Sequence, residues 1–276
     1  MGHTGTLDPD VTGVLPICIG KATKVAEYIT DAGKSYEGEV TLGYSTTTED
    51  ASGEKVEEKK VEGAISRKEI LQVLDSFTGE IEQTPPMYSA VKVNGTRLYE
   101  YARKGIEVER PTRKVSIYSI ELLDDRDVFL GETISFRFRV SCSKGTYIRT
   151  LAVMIGEELG YPAHMSNLIR TQSSAFTLDD CLTFEQIENL VEAGTISSYL
   201  RPLEMALSHL PKYIINDKVA EKVKNGALLP IPDYLINSNG PICAENEEGK
   251  ALAIYSVHPS KPGLLKPVKV LRNDQG

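Results

Sequence analysis

The segment Gly2-His3-Thr4-Gly5-Thr6-Leu7-Asp8-Pro9 sets a carboxylate and an imidazole among glycines and a proline, in a stretch too irregular for a plain helix or strand. A carboxylate held in such a loop is a candidate nucleophile if a neighbouring cation keeps it ionised and oriented. Asp-Pro also commonly opens a turn in which the Asp caps a local amide, and that role alone would account for Asp8. The most informative cation lies in Ser143-Lys144-Gly145-Thr146-Tyr147-Ile148-Arg149-Thr150, which follows an alternating apolar run and opens a helix. Gly145 permits a tight turn there, and Lys144 or the helix N-terminus could face an anion. Arg149 falls in the first helical turn, where the helix dipole disfavours a cation, so it calls for a specific partner, most commonly a surface salt bridge. A carboxylate facing Arg149 would be held by a bidentate pair.

Other site chemistries have no support. Gly13 to Lys21 lacks the glycine and the Ser or Thr of a phosphate loop, and no GxSxG, HExxH or GxGxxG occurs. The four cysteines, Cys18, Cys142, Cys181 and Cys243, lie far apart without a CxxC pair, which points to reduced cytosolic thiols rather than zinc ligands. Neither a metal nor a cofactor is expected. No apolar run approaches the roughly 20 residues that span a membrane, and a cytoplasmic location is expected.

The net charge of −8 argues mildly against a general nucleic-acid coat. Between Gln83 and Lys114, however, seven basic residues (Lys92, Arg97, Arg103, Lys104, Arg110, Arg113 and Lys114) face only three acidic ones. Such a focused surface can bind RNA or can simply be a solvated face. Tyr36, Tyr88, Tyr99, Tyr101 and Tyr147 sit beside charged or glycine-rich segments, where an exposed ring can stack on an unpaired base; half-buried packing is the commoner use of tyrosine.

The elements that must position these residues mix helices and strands without a steady βαβ rhythm. Residues 20–30 read as a short helix and Ser35 to Leu42 as a strand, with Val40 and Leu42 on one face. Tyr44 to Gly63 reads as a polar loop or edge hairpin. Ser66-Arg67-Lys68-Glu69 is a capping box, followed by Ile70, Leu71, Leu74 and Phe77 at helical spacing. Val115 to Leu123 and Thr133 to Cys142 are strands, the second with Ile134, Phe136, Phe138 and Val140 facing one way. Tyr147 to Leu159 is a helix stopped by Gly160 and Pro162, and Thr183-Phe184-Glu185-Gln186 caps another. Pro202 to Pro211 reads as a seam before a small β-rich segment. The fold class expected is α+β with a mixed, largely antiparallel sheet.

These motifs resemble, in order and over almost the whole chain, those of the B-type bacterial tRNA pseudouridine 55 synthases. The opening segment with Gly13-Val14-Leu15-Pro16 and Gly20-Lys21-Ala22-Thr23-Lys24 resembles the family's catalytic motif. Lys34-Ser35-Tyr36 resembles its tyrosine motif. Pro85-Pro86-Met87-Tyr88-Ser89-Ala90 and Leu98 to Arg103 resemble its RNA-gripping thumb loop. Cys142 to Thr150 and Ala163 to Arg170 resemble its late active-site motifs. The resemblance implies a pseudouridine synthase catalytic domain over 1–210, with flanking helices and a thumb at about 83–114, and a PUA-like RNA-binding domain over 211–276. It implies Asp8 as nucleophile and Arg149 as its partner. Tyr36 would stack on the target base and is a candidate for proton transfer, Tyr147 would line the pocket, Leu168 would form an apolar wall and His3 would hold the flipped RNA loop. Lys92, Arg97, Arg103 and Lys104 would grip RNA. The expected partner is the T-arm stem-loop of tRNA, and the expected state is a monomer.

Two departures stand out. Family members usually carry a Lys-Pro-x-Gly-x-Thr-Ser segment before the first motif, so either a late start or a truncation is expected here. Met154 stands where the family tends to carry Asp, which raises the expectation that the geometry around Arg149 is altered. A non-catalytic tRNA-binding protein is the alternative reading, and a non-functional fragment a third.

Overall fold

The computed structural model describes residues 1–238 and 240–272. By internal contacts the chain forms two compact units: one of Leu7–Val14 and Gly33–Ser173, the other of Met1–Thr6, Leu15–Ala32 and Ser174 onward.

The unit that carries Asp8 and Arg149 is built on strands Thr12–Gly13 (β1), Lys34–Leu42 (β2), Gly79–Gln83 (β3), Arg113–Leu122 (β4), Ile134–Cys142 (β5) and Ala163–Ser173 (β6). Their order across the sheet is β6-β2-β5-β4-β3, all neighbours antiparallel, and β1 lies parallel to β6. The sheet is mixed and largely antiparallel, as the sequence pattern predicts. Strict alternation on β5 buries Ile134, Phe136, Phe138 and Val140 and leaves Arg137 and Arg139 outside, where Arg139 meets Glu37 on β2 at 2.7 Å. Two helices cover the apolar face, Arg67–Ser76 (α1) and Ile148–Glu158 (α2), giving one core that includes Ile70, Leu74, Leu151 and Ile155. The capping box at the start of α1 is formed: Ser66 Oγ accepts from Glu69 N–H and the Glu69 carboxylate accepts from Ser66 N–H at 2.7 Å. Tyr44 to Gly63 forms the expected hairpin, with strands Tyr44–Thr46 and Lys55–Glu58 paired.

The strand pattern misses β6, the longest strand of the unit. Its register shifts between Met165 and Asn167 and again between Arg170 and Gln172, which interrupts the alternation, and it buries the polar His164 and Arg170. His164 stacks on Tyr44 with ring centroids 4.4 Å apart and its Nδ1 meets the Tyr44 carbonyl; burial pulls its pKa down.

The other unit carries a sheet ordered Lys212–Ile215, Ile242–Asn246, Ala251–Val257, Leu264–Val270, Leu229–Pro230. The expected seam at 202–211 falls inside this unit, because Ala206, Leu207 and Leu210 pack with Cys243, Ala251 and Ile254. Among the described residues no helix is long and apolar enough to cross a membrane.

Candidate active site

Asp8 begins a tight turn in which its carbonyl accepts the Val11 N–H at 3.0 Å. The turn leads into β1, which β6 locks from both sides: Val14 N–H donates to Arg170 O at 2.8 Å, and Arg170 Nε donates back to Val14 O at 2.7 Å. Gly13 makes the approach feasible. Its φ is 115°, and a Cβ there would lie 2.2 Å from the Arg170 carbonyl oxygen. Gly13→Ala is expected to cost at least about 2 kcal/mol through positive-φ strain and the backbone clash. That is a fall in Tm of roughly 4–8 °C by thermal unfolding, accompanied by reduced turnover; an unchanged Tm would show that the loop relaxes freely.

With the turn made by backbone, the Asp8 side chain is released for another partner. Its Oδ2 lies 3.0 Å from Arg149 Nε. The Arg149 side chain is only 7% exposed and that of Asp8 is 45% exposed, so a buried cation presents a carboxylate that solvent, and a ligand, can reach. The surface salt bridge expected for Arg149 is replaced by burial. The expected bidentate pair is also replaced by a shared fork. Arg149 Nη1 donates to Thr48 O and Nη2 to Tyr88 O, each at 3.0 Å, and Nη1 faces Asp50 Oδ2 at 3.7 Å. Two neutral carbonyls and a second carboxylate therefore fix the plane of the guanidinium before Asp8 is counted.

Asp50 is the residue that sequence reading missed. Burial pushes its carboxyl upward, but hydrogen bonds from Ser52 and Thr48, with Arg149, outweigh it and hold the pKa below the ordinary value. Oδ1 takes the Thr48 hydroxyl at 2.6 Å, the Ser52 hydroxyl at 2.6 Å and the Ser52 N–H at 3.0 Å, which leaves Oδ2 toward the arginine. Between the two, Glu49 adopts φ 63°, so the chain reverses and presents both the Thr48 carbonyl and the Asp50 carboxylate to one cation. Glu49 itself is anchored by the Thr150 hydroxyl at 2.7 Å, and burial raises its pKa. The only sequence signal was a cluster of Thr, Glu and Asp in a polar hairpin, about a hundred positions from Arg149.

Tyr36 ends the core-facing row Tyr36, Gly38, Val40, Leu42 on β2. Its partner across the β6 pairing is Arg170, as Gly38 faces Leu168, so Leu168 shares the face of Tyr36. Gly38 is bare because the Phe138 ring fills the space a Cβ would need, at 2.8 Å. Burial pushes the Tyr36 phenol up to about 12, against the Arg170 guanidinium that bonds it; nearby Asp8 adds to the rise. The Tyr36 phenol is thus neutral near pH 7, and its ring is suited to stacking on a base. Burial also raises Tyr147, with Ser89, Arg113 and Arg149 pulling the other way and Asp8 adding to the rise. Asp8, Arg149, Tyr36 and Tyr147 therefore converge. His3 belongs to the other unit, where it is exposed and accepts the Gly5 N–H on Nδ1 at 3.4 Å.

The thumb is closed at its base by pairing of Gln83 with Arg113 and by the Thr84 and Thr112 hydroxyls, 3.0 Å apart. Within it Lys92 and Arg97 pair in a short hairpin, and Arg97 and Arg103 flank the Tyr99 ring at 5.9 and 5.3 Å. Lys92, Arg97, Arg103 and Lys104 are all exposed. Lys114 is instead paired with Glu80, and Arg110 is turned onto the Pro85 carbonyl.

The family model for the TruB family pseudouridylate synthase N-terminal domain matches residues 1–148, and that for the tRNA pseudouridylate synthase B C-terminal domain matches 149–208. The chain is 63% identical over 272 residues to the tRNA pseudouridine synthase B of Geobacillus thermodenitrificans, covering 99% of this chain and 90% of that one. It is 66% identical over 249 residues to the enzyme of the same name from Geobacillus kaustophilus, covering 90% and 87%. Among solved structures it is similar to a Cbf5-Nop10-Gar1 complex, with TM-score 0.74, 29% identity and coverage of 99% of this chain and 76% of that one. It is also similar to an H/ACA RNP bound to a substrate RNA containing 2'-deoxyuridine, with TM-score 0.71, 26% identity and coverage of 99% and 77%. With two adjoining family models matched and near-full-length identity above 60%, the chain belongs to the TruB family of tRNA pseudouridine synthases, enzymes of the isomerase class.

Proposed function

We propose that the chain isomerises uridine 55, in the T-arm of tRNA, to pseudouridine, with Asp8 as nucleophile. The observation that carries this reading is the half-exposed Asp8 carboxylate, oriented at 3.0 Å by a buried arginine and flanked by two neutral tyrosines. The reaction breaks the N1–C1′ bond, turns the base and forms a C5–C1′ bond; the proton lost from C5 is balanced by one gained at N1. No redox partner or activated donor enters, so positioning and one carboxylate suffice.

The uridine must first leave the stack, at a cost of a few kcal/mol. Stacking on Tyr36, about 1–3 kcal/mol, and backbone contacts from Lys92, Arg97, Arg103 and Lys104 offset that cost. Leu168 supplies an apolar wall, Tyr147 lines the pocket and His3 supports the opened loop. Residues 211–276 serve as a PUA-like RNA-binding domain, and the protein works as a cytosolic monomer.

The test is release of tritium from C5 of a single labelled uridine in a T-arm stem-loop. Stoichiometric release is expected, with RNA affinity falling as salt rises. Salt-sensitive binding without release would overturn the enzymatic reading and leave the non-catalytic one.

A further inference from the structure

We propose that Gln83 is a positioning residue for this isomerisation: its side-chain amide fixes the Tyr147 peptide and, through it, the Tyr147 ring and the Arg149 guanidinium. The inference rests on the roles proposed above for Asp8, Arg149 and Tyr147.

Gln83 is the last residue of β3 and the first of the thumb, and it is 2% exposed. Its amide makes both hydrogen bonds to a single residue. Oε1 accepts the Tyr147 N–H at 3.0 Å, and Nε2 donates to the Tyr147 carbonyl at 3.2 Å. Tyr147 is the N-cap of α2, with extended backbone (φ −99°, ψ 109°) and no side-chain cap of its own. The junction between loop and helix is thus held by a side chain from a different strand. One residue beyond the first helical position comes Arg149, whose side chain must reach Asp8, Thr48, Asp50 and Tyr88 together.

Gln83 also faces Met154, whose Sδ lies 3.9 Å from Nε2. The departure at Met154 therefore bears on Gln83, while Arg149 keeps its own partners. A thioether is a weak acceptor, so the Gln83 amide is held chiefly by the Tyr147 peptide. On its other side, Gln83 is anchored by pairing with Arg113 at the base of the thumb. A buried amide here could do no more than satisfy an orphan N–H at a helix start. The two roles differ in what they do to the rate.

The experiment compares the full chain with Gln83→Leu and Gln83→Glu, measuring single-turnover tritium release and stem-loop affinity from about pH 5.5 to 8.5. Leucine removes donor and acceptor at similar size. Turnover is expected to fall roughly 10- to 100-fold while affinity changes less than about threefold, since no phosphate contact is lost. Glutamate keeps the acceptor but can donate to the Tyr147 carbonyl only when protonated. The charges around Tyr147 are Arg113 from the paired strand, Arg149 on α2 and Asp8; the cations favour the carboxylate, while Asp8 and burial oppose it. Gln83→Glu should therefore recover activity on acidification along a titration limb that the wild type lacks.

If Gln83→Leu does not fold, the glutamate profile decides alone. Turnover of Gln83→Leu within threefold of wild type, or a Gln83→Glu profile parallel to wild type, would overturn the positioning role while leaving the proposed function intact. An inactive wild-type chain would sink both.

Discussion

Replacing Asp8 by alanine will reduce pseudouridine formation below detection, a loss of at least about 10⁴-fold, while stem-loop affinity stays within about threefold. The size of the loss follows from the role: removing a nucleophile removes the covalent route rather than weakening it, and a factor of 10⁴ is about 5.4 kcal/mol of barrier. Affinity is insulated because the Asp8 carboxylate is an anion facing a polyanion, whereas the exposed Lys92, Arg97, Arg103 and Lys104 lie on the thumb, away from this substitution. Stability is insulated as well. The side chain is 45% exposed, and without it Arg149 retains Asp50 and the Thr48 and Tyr88 carbonyls. The backbone turn does not use the side chain, since Val11 N–H bonds the Asp8 carbonyl. Asp8→Asn is the sharper variant. Its amide oxygen can still accept from Arg149 Nε, so geometry persists and charge alone is lost. Tritium release by either variant within tenfold of wild type would remove Asp8 from the nucleophile's role.

How much of this could be read from the residues alone depends on distance along the chain. Asp8 and Arg149 carry local signs: an Asp-Pro turn in a glycine-rich loop, and a cation where the helix dipole disfavours one. The partners that immobilise Arg149 carry none. Asp50 lies in a hairpin that reads as solvated, and Thr48 and Tyr88 contribute backbone carbonyls, which no residue type announces. Gln83 was legible only as the edge of a basic segment. The same holds for the fold. β5 alternates strictly and is read at once, whereas β6 is obscured by two register shifts and by Arg170, whose burial depends on the Val14 carbonyl and the Tyr36 hydroxyl. Periodicity reports which face of an element is apolar. A buried polar residue with distant partners breaks that pattern exactly where the site is assembled.

Arg149→Met will lower both turnover and stability, and the two losses will separate. Turnover should fall at least about 10³-fold, because Asp8 loses the group that orients it and two charges no longer balance. Stability should fall by about 3–5 kcal/mol, the usual consequence of breaking a buried pair by removing one partner, or roughly 6–20 °C in Tm. One part is the Asp50 carboxylate left with its Thr48 and Ser52 hydrogen bonds but no cation, beside two unpaired carbonyls. A second substitution identifies it. In the Arg149→Met background, Asp50→Asn removes the stranded charge and should return part of the lost Tm without returning turnover, a non-additive result that a cavity effect alone would not give. pH provides an independent check. In the wild type the Asp50 pKa lies below its ordinary 3.8, so its stabilisation is present above that value and is lost as pH falls through the folded pKa. In Arg149→Met the folded pKa rises, and protonation relieves the variant at a pH where the wild type is still fully ionised. The Tm gap between the two should therefore narrow from about pH 7 to about pH 4. A gap that stays constant over that range, with no recovery in the double variant, would show that Arg149 stabilises the unit through packing rather than by neutralising Asp50.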